Sequence, residues 1–255
     1  MLRNVNEIIN YILLAEDGEI GRCKDFLYDD EKWTIRYMVA DTRKWLPGRK
    51  VLISTAALGE PDWCTNRFQV KLERRQIKAS PPLDEDAPVS RQYEIIFNEY
   101  YRTSPYWAGA SEWGTQPTPS MLRAEEEQLA TEFEGLEKNH LRSIKEVTGY
   151  HIQATDSEIG HVENFMVDDE QWTLRYVVVN TRNWLPGRKV LVSPQWITAV
   201  NWGEKKLKVD LTTDRVKESP EYDTLGTIDR DYECALYEHY GRHGYWEEKR
   251  RAIQD

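Results

Sequence analysis

Trp45-Leu46-Pro47-Gly48-Arg49-Lys50-Val51-Leu52 occurs twice in this chain, the second time unchanged as Trp184-Leu185-Pro186-Gly187-Arg188-Lys189-Val190-Leu191. The two copies lie 139 residues apart. The same offset relates Asp29-Asp30-Glu31-Lys32-Trp33-Thr34-Ile35-Arg36-Tyr37 to Asp168-Asp169-Glu170-Gln171-Trp172-Thr173-Leu174-Arg175-Tyr176. Farther along, Ser80-Pro81 maps onto Ser219-Pro220, and Tyr106-Trp107 onto Tyr245-Trp246. From Ile20 to Trp107 the register holds without a gap, so the chain is an internal duplication. Substitutions between the copies keep apolar character and approximate volume, as core positions require: Ile35 becomes Leu174, Met38 becomes Val177 and Ile53 becomes Val192. Cysteines do not match: Cys23 faces Val162, Cys64 faces Gly203 and Cys234 faces Ile95. A cysteine chemistry common to both copies is thereby excluded.

Within one copy, strand signals come first. Tyr11 to Leu14 precedes a Glu16-Asp17-Gly18 turn, and Ile20 to Tyr28 reads as a strand in which Gly21 marks a bulge or close approach. Asp29-Asp30-Glu31 is a polar turn, expected to be a solvated hairpin tip. Trp33, Ile35, Tyr37 and Val39 then alternate with Thr34, Arg36 and Met38 at the period of a half-buried strand. Leu46-Pro47-Gly48 is a tight turn, followed by strands at Lys50 to Ser54 and Phe68 to Leu72. Five or six short strands in such a length make a small barrel or sandwich. A trailing helix follows, with Ser90 as N-cap and Tyr93, Ile96, Phe97 and Tyr100 on one face. Tyr232, Ala235, Leu236 and Tyr240 repeat that face, and Gly241 supplies the stop. The Tyr-Trp pairs after the helices are expected to lock each helix onto its barrel. Gly109 to Pro119 reads as a linker, and the stretch from Met121 as an acidic helix.

The runs Val39 to Ser54 and Val178 to Pro194, with the preceding Glu19-Ile20-Gly21 and Glu158-Ile159-Gly160, resemble the centre of a PRC-barrel. The resemblance covers both copies, roughly 7–80 and 146–219. It implies a mainly β fold with trailing helices: two small antiparallel PRC-like β-barrels in pseudo-symmetric tandem, joined by a linker and acidic helix. Module 1 then spans 1–107 (barrel about 5–80), the linker and acidic helix 108–143, and module 2 144–255 (barrel about 144–219). Relatives include the cytoplasmic domain of the photosynthetic reaction-centre H subunit, the ribosome maturation factor, and tandem bacterial proteins, which this chain resembles most. The family implies docking rather than covalent chemistry, for instance on a membrane complex of photosynthetic electron transport. Neither named function transfers whole. This chain shows no N-terminal membrane helix like that of the H subunit, and it has two barrels where the ribosome factor has one.

Bulk composition narrows the partner. Net charge is -10, from 44 acidic and 34 basic residues among 255, which weighs against DNA and against anionic membrane surfaces. No apolar window long enough to insert in a membrane is present, nor an apolar signal core at the start, so a cytoplasmic protein is expected. The three cysteines show no metal-ligand spacing and are expected to act as small buried residues. Ten tryptophans and fourteen tyrosines suit small β cores and interfaces.

Catalytic patterns are absent from the sequence. None of His140, His151, His161, His239 and His243 recurs in the other copy. His239 and His243 have i, i+4 spacing, but Gly241 and Gly244 interrupt their helix. Ser54 and Ser193 lack a nucleophile elbow, and no phosphate-binding loop occurs. The expectation is no enzyme, no cofactor and no metal. The best candidate interaction surface is Arg43, Trp45, Arg49 and Lys50, with Arg182, Trp184, Arg188 and Lys189 as its twin, because Arg and Trp anchor interfaces. Against it stands the preferred structural reading, in which each Trp plugs its barrel and each Arg is paired internally. The function expected is a non-catalytic interaction or scaffold protein with an unidentified protein partner. The alternatives are a small-molecule or ion-binding sensor and a ribosome or RNA-processing accessory factor. A pseudo-symmetric monomer or a homodimer is expected.

Overall fold

The computed structural model describes residues 1–42, 46, 49–81, 83, 89–107, 140–181, 188–224 and 226–247. The linker and acidic helix expected over 108–143 lie, up to residue 139, outside the described residues. So do Arg43, Trp45, Arg182 and Trp184. Among the described residues the chain is mainly β with a few helices, and no helix is long and apolar enough to cross a membrane.

The chain divides into two compact units, and neither coincides with a sequence repeat. The first comprises residues 1–9, 25–36 and 142–255; the second comprises 10–24 and 37–141. The first unit therefore takes a short N-terminal segment and a hairpin tip from the first repeat.

In the second unit, β2 (Ile12–Ala15) pairs antiparallel with the early part of β3 (Gly18–Asp29) and parallel with β7 (Arg67–Val70). β6 (Leu58–Asp62) flanks β7, and β5 (Lys50–Ser54) pairs with the later part of β4 (Thr34–Asp41). Gly21 sits in β3 at φ +128°, and a Cβ there would stand 2.0 Å from the Asp41 carbonyl oxygen. The close approach expected at this glycine is present, and only a residue without a side chain permits it. Helix α2 (Arg74–Ala79) and the trailing helix α3 (Arg91–Tyr101) also belong to this unit.

In the first unit, the long strand β10 (Glu158–Asp168) pairs along one edge with β11 (Thr173–Asn180). Its other edge is divided between β9 (His151–Gln153) at 158–161 and β1 (Leu2–Asn4) at 166–168. β11 likewise divides its free edge between β12 (Lys189–Val192) and Thr34 of β4. β13 (Ile197–Asn201) pairs with β14 (Lys206–Val209), and β14 pairs parallel with β9. β8 (Leu141–Ser143) pairs with β3. Two short helices, α1 (Val5–Ile8) and α4 (Ile144–Val147), follow β1 and β8 directly; α5 (Thr213–Glu218) and the trailing helix α6 (Arg230–Tyr240) come later.

These pairings correct the expected closed antiparallel barrels. Among the described residues the strand path is open, with β13 and β6 as its ends. A strand edge shared in succession by two short partners does not zip into one ring. Nor is the pairing all antiparallel, because the long connections from β2 to β7 and from β9 to β14 allow a parallel return.

Helix faces also differ from expectation. Helix α3 buries Glu94, Phe97 and Asn98, while Ile96 and Tyr100 are exposed. Helix α6 buries Glu233, Leu236, Tyr237 and Tyr240 and leaves Ala235 exposed. Both helices are turned so that a carboxylate faces inward. Of the cysteines only Cys23 is buried. Cys64 lies in a turn whose backbone N–H groups bond Asp62, and Cys234 lies off the buried face of α6. The caps are as expected: the Ser90 hydroxyl accepts from the Tyr93 N–H, and Gly241 ends α6 in the left-handed conformation.

Candidate functional site

Arg49, Arg188 and Lys189 of the proposed Arg/Trp patch are engaged within their own units. Arg49 donates from Nη1 to the Lys78 carbonyl at 2.7 Å and from Nη2 to the Ser80 carbonyl. Arg188 makes the equivalent pair of bonds to the Lys217 and Ser219 carbonyls. A planar guanidinium thus ties the C-terminal end of α2, and of α5, to the strand beside it. Lys189 pairs with Glu163, and the residue at Glu163's position in the first repeat is Lys24. Thr42 and Thr181 donate their hydroxyls at 2.8 Å to the Arg49 and Arg188 carbonyls, the same bond at the same place in both repeats.

Two carboxylate nodes that sequence reading missed lie under the trailing helices. In the first unit Glu233 is 3% exposed. It accepts from the Tyr176 hydroxyl at 2.7 Å and the Tyr245 hydroxyl at 2.9 Å, and pairs with Arg230 at 2.9 Å. The Arg230 guanidinium lies 4.3 Å from the Trp246 ring, and that of Arg175 lies 4.0 Å from the Tyr245 ring. Burial pushes the Tyr245 hydroxyl up to about 12 and the Tyr176 hydroxyl higher still, with the Glu233 charge adding to both. Both phenols therefore stay protonated donors at neutral pH. In the second unit Glu94 pairs with Arg91 at 3.1 Å, and Arg91 bonds Tyr106 and stacks 3.9 Å from the Trp107 ring. The Tyr-Trp pairs thus hold their helices through an arginine, a link invisible to a search for apolar faces. Arg91/Arg230 and Glu94/Glu233 stand at the 139-residue offset, and that was the available signal.

The acidic turns are structural. Asp29 Oδ1 accepts from the Glu31 and Lys32 N–H groups, and its Oδ2 pairs with Arg36 at 3.0 Å. Asp168 does the same with Glu170, Gln171 and Arg175. Asp30 pairs with Arg142 at 3.1 Å and Asp169 with Arg3 at 3.3 Å, so neither tip is merely solvated. Trp33 and Trp172 close these turns at φ +51° and +56°. They also exchange bonds with the neighbouring strand: Ile35 N–H donates to the Trp172 carbonyl and Leu174 N–H to the Trp33 carbonyl, both at 2.7 Å. His239 Nε2 faces the Arg215 carbonyl, while His243 faces Glu247, so the two imidazoles have separate partners. No cluster of three or more His, Cys, Asp or Glu suited to a metal occurs among the described residues.

One concavity lies wholly within the first unit. It is a groove of about 480 Å³ running along β13, where Thr198 and Ala199 are exposed and Ile197 and Val200 half-buried. Trp33 and Lys32 of the hairpin tip, and the stacked Arg175–Tyr245 pair, form other parts of its wall. β13 ends the strand path, with β14 as its one strand neighbour among the described residues. Aromatic area, a fixed guanidinium and an open strand edge meet there.

Residues 140–216, within the second repeat, match the model of the PRC-barrel domain. No curated protein matches the chain.

Proposed function

We propose that the chain is a non-catalytic docking protein built on two PRC-barrel modules, and that it takes an extended segment of a protein partner along β13. The observation that carries this reading is the groove beside an edge strand. An unpaired edge offers backbone donors and acceptors to an added strand, and the flanking side chains then select its residues. Lys32, Gln195 and Thr198 supply a polar rim, while Trp33, Ile197 and Val200 supply apolar area, the usual anatomy of a specific contact. The PRC-barrel match in the second repeat and the gapless sequence repeat support extending the same module to the first. The reciprocal bonds between Ile35 and Trp172 and between Leu174 and Trp33 support a pseudo-two-fold arrangement.

The test is affinity capture from native host extract with the parent chain and with Ala199→Arg, which places a bulky charge in the groove without touching the core. A specific protein held by the parent and lost with Ala199→Arg supports docking along β13. Equal capture by both chains removes the groove from the reading. The groove volume also suits a small ligand. A metabolite that raises the melting temperature of the parent but not of Ala199→Arg would favour a sensor instead.

A further inference from the structure

The duplication extends back to the start of the described chain. Leu2-Arg3-Asn4-Val5-Asn6-Glu7-Ile8 and Leu141-Arg142-Ser143-Ile144-Lys145-Glu146-Val147 stand at the same 139-residue offset. They share one pattern: Leu, Arg, a short polar residue, a β-branched residue, a variable position, Glu, and a β-branched residue. Each forms a three-residue strand followed at once by one helical turn. The short polar residue caps that turn: Asn4 accepts from the Asn6 N–H, and Ser143 from the Glu146 N–H.

Each arm is seated on the long strand of the other repeat. Leu2, Arg3 and Asn4 pair with Asp168, Val167 and Met166. Val5 and Ile8 are wholly buried, Arg3 pairs with Asp169, and Asn4 bonds Asn164. In the second arm Ile144 and Val147 are buried, Arg142 pairs with Asp30, and the Ser143 hydroxyl donates to Asp25 at 2.5 Å. The anchors correspond one to one: Arg3–Asp169 with Arg142–Asp30, and Asn4–Asn164 with Ser143–Asp25. One seat is thus seen twice with two versions of one peptide. All the polar and strand anchors of the first arm named here lie between residues 164 and 169. At Asn10, φ +73°, the chain has left this unit for the other.

We propose that this seat is a receptor for the arm as a separable element, and that the partner it fits is a second copy of this chain, which can exchange its 2–8 arm into the seat. The anchors do not depend on which chain supplies the arm. What keeps it at home is covalent connection, which gives the attached arm an effective concentration far above that of a competing copy. Exchange should therefore surface when the arm is absent or when chains refold together at high concentration. This inference is independent of the groove along β13.

The direct test uses the chain lacking residues 1–9 and a fluorescent synthetic peptide of residues 1–10. Saturable one-to-one binding with recovery of the melting temperature is expected. The L2D/V5D/I8D peptide should bind at least about a hundredfold more weakly, since it loses three apolar anchors. Equal binding of the two peptides, or no binding to a folded truncated chain, overturns the proposal. Should the truncated chain fail to fold, the full-length protein decides. Leu2→Cys and Asp168→Cys variants, each also carrying Cys64→Ser and Cys234→Ser, are refolded together at high concentration and oxidised. Disulfide-linked dimers in the mixture, in excess of those from either variant alone, are expected. A mixture that yields no such excess overturns arm exchange.

Discussion

Glu233 shows how one buried charge organises a repeat. It accepts from two phenols and faces a guanidinium, so its removal strands the Tyr176 hydroxyl in the core. Glu233→Ala is expected to cost about 3 kcal/mol in urea unfolding, and Glu233→Gln roughly half of that, because one acceptor remains. A loss below about 0.5 kcal/mol for the alanine variant would show that the node is not holding the helix. Asp25 behaves differently. Burial raises its carboxyl above the ordinary value, against bonds from Ser143, Phe26 and Lys145. Between the ordinary value and the raised one, the folded state binds a proton that the unfolded state does not, so stability falls as pH rises through that window. Above it, the charged carboxylate is a standing penalty. Asn164 occupies the same position in the other repeat, and Asp25→Asn imitates it without the charge. Relative to Asp25→Asn, the parent chain should therefore gain stability on acidification from neutral pH towards the ordinary carboxylate range. Parallel urea titrations at neutral and acid pH check this, and a gap that does not move with pH refutes it.

At the scale of elements, Arg49 and Arg188 replace a cap by a clamp. Each forks onto two carbonyls at the end of a short helix. Arg188→Lys is expected to cost about 1–2 kcal/mol, because an ammonium does not reproduce the fork. Lys189→Ala breaks only a half-exposed pair with Glu163 and should stay within about 0.5 kcal/mol of the parent. Thermal unfolding of the two variants side by side separates them. Elements were legible in the sequence wherever local chemistry decides: the Ser90 cap, the Gly241 stop, the strand at Lys50–Ser54 and the tight approach at Gly21. The helix faces were not, because apolar spacing cannot see that Glu94 and Glu233 are made inward-facing by arginine and tyrosine partners distant in sequence. The same holds for the divided edges of β10 and β11, each of which takes one partner from its own repeat and one from the other. Of the candidate patch, the sequence singled out Arg49 and Arg188 by residue type; what each guanidinium grips depends on carbonyls about thirty residues away.

At the scale of the molecule, the repeat that the sequence displays so openly is not the compact unit. The first unit needs residues 1–9 and 25–36 as well as 142–255. Its core holds Val5, Ile8, Phe26 and Tyr28 beside Phe165 and Val167. Severing the chain between residues 107 and 140 would leave those two short pieces on one fragment and the bulk of the unit on the other. Non-covalent contacts alone would then hold the fragments. The buried apolar area of four such side chains is worth several kcal/mol, at about 1.5–3 kcal/mol each, and the ladders of β1 on β10 and of Thr34 on Thr173 add to it. A protease site inserted near residue 115 and cut under native conditions is thus expected to yield two fragments that co-elute in gel filtration and part only in denaturant. If the fragments separate on cutting, the first unit does not depend on the early segments, and each repeat closes its core from its own residues.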